Sequence, residues 1–496
     1  MKLIEKICRP KIVFCSICFI AFQLNGVARA QTRDLSSFGP LLQQIKDSLQ
    51  FSGVLLVANN DRTLLSYSNG YASLENQTKH SVSNTKFRLA SISKTMVSYV
   101  IYILKSQGRL AMDDKITKYL KELDEEIYGQ ITIEQLIQHK SGIIRALKNI
   151  TKKNTYEPIS PIEIFYELNQ AELMFPPGTQ RSYSNVGYSL LAILIERITG
   201  MDFYNAIRNI LFDPLKMFNT NHEIDYEVIS NIAQGYNLVG DKIFRSRLGS
   251  KSWILGAGSI YSTATDLLRF SKEVQKGTLL DSLSHTQYLK DLGNYTTHGG
   301  WTTYGYGAKL ANAPKKGRLI MHGGVSPGYR SDMHIFLDHG ITLICLSNQA
   351  PLPISILYNK IGNVALGYEP EQVLEPQLTK LFPDIEIGNI TDAILKYNRA
   401  TEESDSIEKI KHHEVNNLGY LLLETNNVAS AVNVFKFGVT LFPENANLYD
   451  SLGEALALKR DFANALKAYQ KSISLDSTNV VGKRAIRKIE NELNKH

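Results

Sequence analysis

The feature that most restricts the fold is a largely apolar helix. Met96, Val97, Val100, Ile101, Ile103 and Leu104 recur through one segment, and Gly108 ends it. A helix with so little polar face belongs inside a protein large enough to surround it. The 496 residues allow one large domain and a smaller one. The helix opens with Ser91-Ile92-Ser93-Lys94, a hydroxyl and an amine three residues apart and so on one helical face. Serine alone is a poor nucleophile, but a lysine one turn away can take its proton if the surroundings hold the amine neutral. The free N–H groups and positive dipole end of the helix would then face the reaction centre. Taken alone, the same four residues also fit an ordinary N-cap serine beside a surface lysine.

Two later segments carry matching chemistry. Phe175-Pro176-Pro177-Gly178 enforces a loop, and Tyr183 and Asn185 stand at its exit before a second helical stretch, Asn185 to Ile198, closed by Gly200. A tyrosine serves as a base when cations near its oxygen lower its pKa, and Lys94 would be that cation. Asn185 offers a donor and an acceptor to hold Lys94 or a substrate amide. His322-Gly323-Gly324-Val325 follows a short apolar run, as an edge strand would. Its glycines let a substrate backbone approach closely, and its N–H groups can join that of Ser91 in an oxyanion hole. His322 can orient a carboxylate or carbonyl.

The surrounding layout is strands, a long helical insertion, then strands. Ser52 to Ala58 and Thr63 to Ser68 read as a hairpin, and Leu319–Met321, Met333–Leu337 and Ile341–Leu346 as late strands. Pro161 to Leu168 reads as a helix between them. His139 reads as a structural hydrogen bonder, His298 as a loop residue able to touch substrate, and Tyr304-Gly305-Tyr306-Gly307 as strand and wall.

Together, Ser91-Ile92-Ser93-Lys94, Tyr183-Ser184-Asn185 and His322-Gly323-Gly324 resemble the S-x-x-K, Y-x-N and H-x-G motifs of the penicillin-recognising serine hydrolases. The group they resemble most is the class C beta-lactamase relatives, with D-Ala-D-Ala carboxypeptidases and esterases among them. Ile131 to Ile143 and Gly256 to Leu267 resemble further family stretches. The resemblance implies an α+β fold of the beta-lactamase/transpeptidase type, with an antiparallel sheet flanked by helices and a helical lobe. It covers residues 35–367. It implies Ser91, Lys94 and Tyr183 as catalytic residues. Asn185, His322, Gly324 and Val325 would bind substrate or the oxyanion, the latter between the N–H groups of Ser91 and Val325. It requires no metal or other cofactor. His322 and Gly323 stand where the true lactamases carry lysine and threonine against a substrate carboxylate. The expected reaction is therefore acyl-enzyme hydrolysis of a small ester or a peptidoglycan-like D-amino-acid peptide. A beta-lactamase is one alternative, and a silent scaffold whose helices bind a protein partner is the other.

The N-terminus sets the compartment. Lys2, Lys6, Arg9 and Lys11 precede an apolar run to Leu24, and Val27-Ala28-Arg29-Ala30 supplies small residues before Gln31. This is the pattern of a cleavable signal over residues 1–30, which predicts a periplasmic or secreted protein with no stable span after cleavage. Cleavage removes five basic residues and one acidic one, so the formal charge falls from +7 to +3 and gives no case for nucleic acid. Of the four cysteines only Cys345 remains, so no internal disulfide is expected.

Residues 368–391, with Leu381-Phe382-Pro383-Asp384 to Asn389, read as a linker. Beyond them a 34-residue period emerges over residues 392–490: Gly419 with Gly453, Ala431 with Ala465, Phe435 with Tyr469. The pattern resembles tetratricopeptide repeats, with units from Val415 to Asn447 and from Leu448 to Asp476 after a helix Asp392 to Lys409. An all-α domain that buttresses the hydrolase or docks a protein partner is expected there.

Overall fold

The computed structural model describes residues 38–493 apart from 61, 148–156, 240–241, 248, 295–296, 299–300, 307–316, 351–353, 370–375, 404–406, 408 and 478. The expected signal, residues 1–30, lies outside the described residues.

The unbroken apolar run Val54 to Ala58 forms the strand Gly53–Asn59, and a strand without polar alternation must be covered on both faces. Val54 and Leu56 enter one core and Leu55 and Val57 another. The same division splits Ile344 and Leu346 from Leu343 and Cys345 on the neighbouring strand Ile341–Ser347. Seven antiparallel strands make the sheet, in the order Thr297–His298, Trp301–Tyr306, Gly317–Ser326, Tyr329–Phe336, Ile341–Ser347, Gly53–Asn59 and Arg62–Asn69. Strands from both ends of the domain thus meet at its centre, where Gly53–Asn59 pairs with Ile341–Ser347. His298 lies in a two-residue strand, not in the expected loop.

One face of the sheet is covered by the helices Gly39–Leu49 and Ile354–Ala365. The other supports the helical lobe, with Ser93–Ser106 at its centre and every residue from Ser93 to Leu104 buried. Burying that helix requires its polar groups to be bonded. The Thr95 hydroxyl donates to Ile92 O at 2.8 Å, Tyr99 to Glu273 Oε1 at 2.7 Å and Tyr102 to Asp291 Oδ2 at 2.6 Å. Asn185–Thr199 is the second central helix, ended by Gly200 in the left-handed conformation at φ 73°. No helix among the described residues is long and apolar enough to cross a membrane.

The C-terminal part is all helical. Helices begin at His412, Val428, Ala446, Phe462 and Val480, so each long–long pair recurs after 34 residues. The small residues of the period have a steric reason. A Cβ at Gly419 would stand 2.3 Å from the Phe435 ring, and one at Gly453 would stand 2.9 Å from Tyr469. The expected linker is corrected. Gln377–Glu386 is a helix, with Pro383 inside it, and Leu381, Phe382 and Ile385 are buried in the C-terminal core. Proline removes one helical hydrogen bond, and burial of these three side chains offsets it. The next helix is Ile390–Glu403, ending before the expected Lys409.

Candidate active site

Ser91 sits in a 3-10 turn, Ala90–Ile92, immediately before the buried helix. Ala90 takes a left-handed φ of 48°, a conformation that costs a non-glycine residue energy and must be held from outside. The holding bonds are Leu89 N to Ile260 O at 2.9 Å and the Ser331 hydroxyl to Leu89 O at 2.7 Å. Ser93 is buried and accepts the Ile260 N–H at 3.1 Å. The second serine of the motif is therefore a strut and not a nucleophile.

Lys94 is fully buried. Its Nζ lies 3.3 Å from Ser91 Oγ and donates to Ala257 O at 2.5 Å. Burial, helped by the positive charge of Arg145, holds the amine well below the ordinary lysine range. The Tyr183 hydroxyl lies 2.9 Å from the same Ser91 Oγ. The nucleophile is thus bracketed by an amine and a phenol. One expectation is corrected here. Burial raises the Tyr183 pKa, against lowering by the Ser91 bond and Arg145, so Tyr183 is a neutral phenol and not a resident base. The amine donates to Ala257 O, which leaves a substrate amide as the expected partner of the Asn185 side chain. Asn185 opens its helix, donates its backbone N–H to Arg145 O at 3.0 Å and lines the cleft beside Ser91.

His139 packs on the Tyr183 ring at 4.5 Å and accepts the Ser184 N–H at Nδ1. Burial keeps it neutral, with Lys94, Arg181 and His322 adding to the effect. It orients the tyrosine, as a structural hydrogen bonder would.

His322, Gly323, Gly324 and Val325 lie within the strand Gly317–Ser326. Among the described residues the adjoining strand Trp301–Tyr306 pairs with Gly317 to Met321, so His322 to Ser326 run on past that pairing. That stretch faces the Ser91 turn. A Cβ at Gly324 would stand 2.0 Å from Leu89 O and 2.3 Å from Ser331 Oγ, so only glycine permits this approach. Gly324→Ala is accordingly expected to push strand and turn apart. Acylation of Ser91 by an active-site probe should fall by roughly 10²-fold, the usual cost of a displacement of about 1 Å. Intact-mass kinetics on the folded variant checks this. Val325 is exposed and lines the cleft. The half-buried His322 donates its Nδ1–H to the carbonyl oxygen of the next residue, Gly323, at 2.7 Å. Its pKa is pushed down to about 3 by burial and by Lys94, against the Gly323 bond, so it is neutral.

The cleft has a volume of about 1050 Å³. One wall is the hairpin Tyr236–Val239 and Lys242–Arg245 with the segment that follows it. Leu423, Thr425 and Asn426 of the C-terminal helices line it too. Phe244 of the hairpin packs on the C-terminal core, and Lys242 Nζ lies 3.9 Å from Glu386 Oε1. Sequence reasoning missed Arg145, the Ala257 carbonyl and this wall. Of these only Ala257 lay in a segment already singled out, Gly256 to Leu267.

The sequence model of the family described as Beta-lactamase matches residues 40–356. The chain belongs to the beta-lactamase family. Members of this family are serine acyl-enzyme hydrolases and transpeptidases, and the bracketed serine fits that chemistry. Among its relatives are Penicillin-binding protein 4* of Bacillus subtilis, 29% identical over 62% of this chain and 70% of that protein, and the putative penicillin-binding protein PbpX of the same organism, 27% identical over 60% and 70%. Beta-lactamase/D-alanine carboxypeptidase from Pseudomonas syringae has the same fold, with a TM-score of 0.55 at 20% identity over 65% of this chain and 97% of that one.

Proposed function

We propose that this chain is a secreted or periplasmic serine hydrolase that acts through an acyl-enzyme on a small ester or a D-amino-acid peptide amide. The observation that carries the reading is Ser91 Oγ set between a fully buried amine, 3.3 Å away and lowered in pKa by that burial, and a phenol, 2.9 Å away. Lys94 accepts the Ser91 proton as Oγ bonds to the substrate carbonyl carbon. The carbonyl oxygen takes the negative charge against the N–H groups of Ser91 and Val325. Collapse of the tetrahedral adduct breaks the bond to the leaving group, which receives the proton through Tyr183. Water then attacks the ester of Ser91, gives a proton back along the same path, and frees the acid.

Secretion is proposed from the basic and apolar N-terminus with its small residues before Gln31. The C-terminal helices are read as tetratricopeptide-like on their 34-residue offset, with support of the hydrolase wall as their first role. The preference for esters or D-peptides over beta-lactams rests on a neutral His322 and on Gly323, which brings no hydroxyl. The names of the relatives, penicillin-binding proteins and a D-alanine carboxypeptidase, keep a cell-wall peptide within the substrate class. A panel of p-nitrophenyl esters, a D-Ala-D-Ala peptide and nitrocefin, ranked by kcat/KM, tests this. Esters or the D-peptide are expected to lead. Nitrocefin ahead by about tenfold, roughly 1.4 kcal/mol of transition-state preference, would restore the lactamase reading.

A further inference from the structure

Three cations line the nucleophile's cleft: Arg245, Arg247 and Lys251. The described residues lining that cleft include no acidic side chain. Arg245 and Arg247 are exposed, while Lys251 is only 6% exposed. None of the three forms an ion pair among the described residues, whereas the neighbouring Arg88 and Lys242 each have a carboxylate within 4 Å. The acids closest to this wall are engaged elsewhere. Glu223 accepts from two of the Arg88 guanidinium nitrogens at 2.7 Å, Asp225 accepts the Ser250 hydroxyl and the Lys251 backbone N–H, and Glu75, whose charge Arg245 feels, is bonded to Tyr236.

Such a wall is costly to keep. A buried ammonium with no carboxylate in direct contact is destabilising, and burial draws the Lys251 pKa down, against the fields of Glu223 and Asp225 and together with that of Arg88. An anion in the cleft would supply the missing partner. The wall is also braced from behind, since Phe244 is packed on the C-terminal helical core and Thr425 and Asn426 close the same cleft. Asn426 holds the left-handed turn between two of those helices at φ 62°. Charges mounted on a braced hairpin keep their positions without a substrate to order them.

We infer that this wall reads an anionic group, carboxylate or phosphate, borne by the acyl substrate, so that the substrate class of the Ser91 site is a negatively charged ester or amide. The inference rests on the acyl-enzyme reading above and adds to it the charge of the substrate. It assigns the C-terminal helices a part in specificity, as the support and far side of the anion subsite.

The test compares p-nitrophenyl hexanoate with the p-nitrophenyl hemiester of adipic acid and with an analogue whose acyl chain ends in a phosphonate. Each preparation is also labelled with a fluorophosphonate. In the wild type, kcat/KM is expected to favour a charged ester by about tenfold at low salt, with the advantage shrinking as salt is added. Arg245→Gln with Arg247→Gln, both exposed positions, should bring the charged-to-neutral ratio to within about twofold, and Lys251→Met should do the same. A larger preference for the phosphonate than for the carboxylate supports the inference and identifies phosphate-bearing substrates. Equal rates for all three esters on enzyme that labels at Ser91, or a preference that survives the double arginine substitution, overturns the inference and leaves the hydrolase reading intact. Absence of labelling at Ser91 overturns both.

Discussion

Ser91→Ala is expected to abolish covalent labelling and to reduce turnover by roughly 10⁴-fold or more, to what an oriented cleft achieves without its nucleophile. The fold should survive. The Ser91 side chain caps neither the 3-10 turn nor the helix behind it, and its contacts are those to Lys94 and Tyr183. Losing one half-buried hydroxyl of this kind costs about 1 kcal/mol. Intact-mass measurement after probe treatment, beside a thermal melt, separates the two effects. An adduct of equal yield on the variant would remove Ser91 from its role.

The second large effect concerns Lys94. Lys94→Met should lower the rate of acylation by roughly 10²–10⁴, the span of a positioned proton transfer, and Tyr183→Phe by a comparable factor. The double substitution should lose less than the product, because both groups act on the one proton of Ser91. Stopped-flow acylation of the four proteins measures the coupling. Strictly additive losses would assign the two groups separate tasks. In the wild type, acylation should fall as pH drops through the depressed pKa of the amine, since protonation removes the base.

The same burial fixes the sign of a stability effect. Between the depressed folded value and the ordinary lysine value of 10.5, the unfolded chain binds a proton that the native chain does not. Stability therefore rises with pH through that window, and the buried amine is a cost at neutral pH. Lys94→Met, near in volume and free of that proton, should melt at a higher temperature than wild type at pH 7 and lose that part of the pH slope. A base kept at the expense of stability is the pattern expected of an active site.

Short-range chemistry in the sequence determined a good deal. The gap from Ser91 to Lys94 sets both on one helical turn, and the apolar spacing from Met96 to Leu104 required a buried helix, which is where it lies. The runs at Gly53–Asn59 and Ile341–Ser347 carried their strand character in their own residues, and Pro161–Leu168 and Asn185–Thr199 were bounded by their proline and glycine signals. The 34-residue offset of the C-terminal helices was legible because each repeat must present the same small residue to the same aromatic.

What the tertiary structure decided is whatever depends on distance in space. The sequence names a lysine and a tyrosine, but their relative readiness to take a proton depends on burial. Burial lowers the amine of Lys94 and raises the phenol of Tyr183, which favours Lys94 as the acceptor. The Ala257 carbonyl that anchors Lys94 carries no side-chain signal at all, and a backbone acceptor is invisible to any reading of residue types. Gly324 read as a glycine that lets a substrate backbone approach, and only the 2.0 Å to Leu89 O from a Cβ placed there shows that it also lets a strand edge meet the Ser91 turn. Pro383 read as a break because local propensity opposes it, while the buried faces of Leu381, Phe382 and Ile385 hold the helix together. The cationic wall comes from a hairpin some 150 residues beyond Ser91 in the chain, and Thr425 and Asn426 come from further still. Folding alone brings Arg245, Arg247 and Lys251 to one cleft, and no local pattern encodes that.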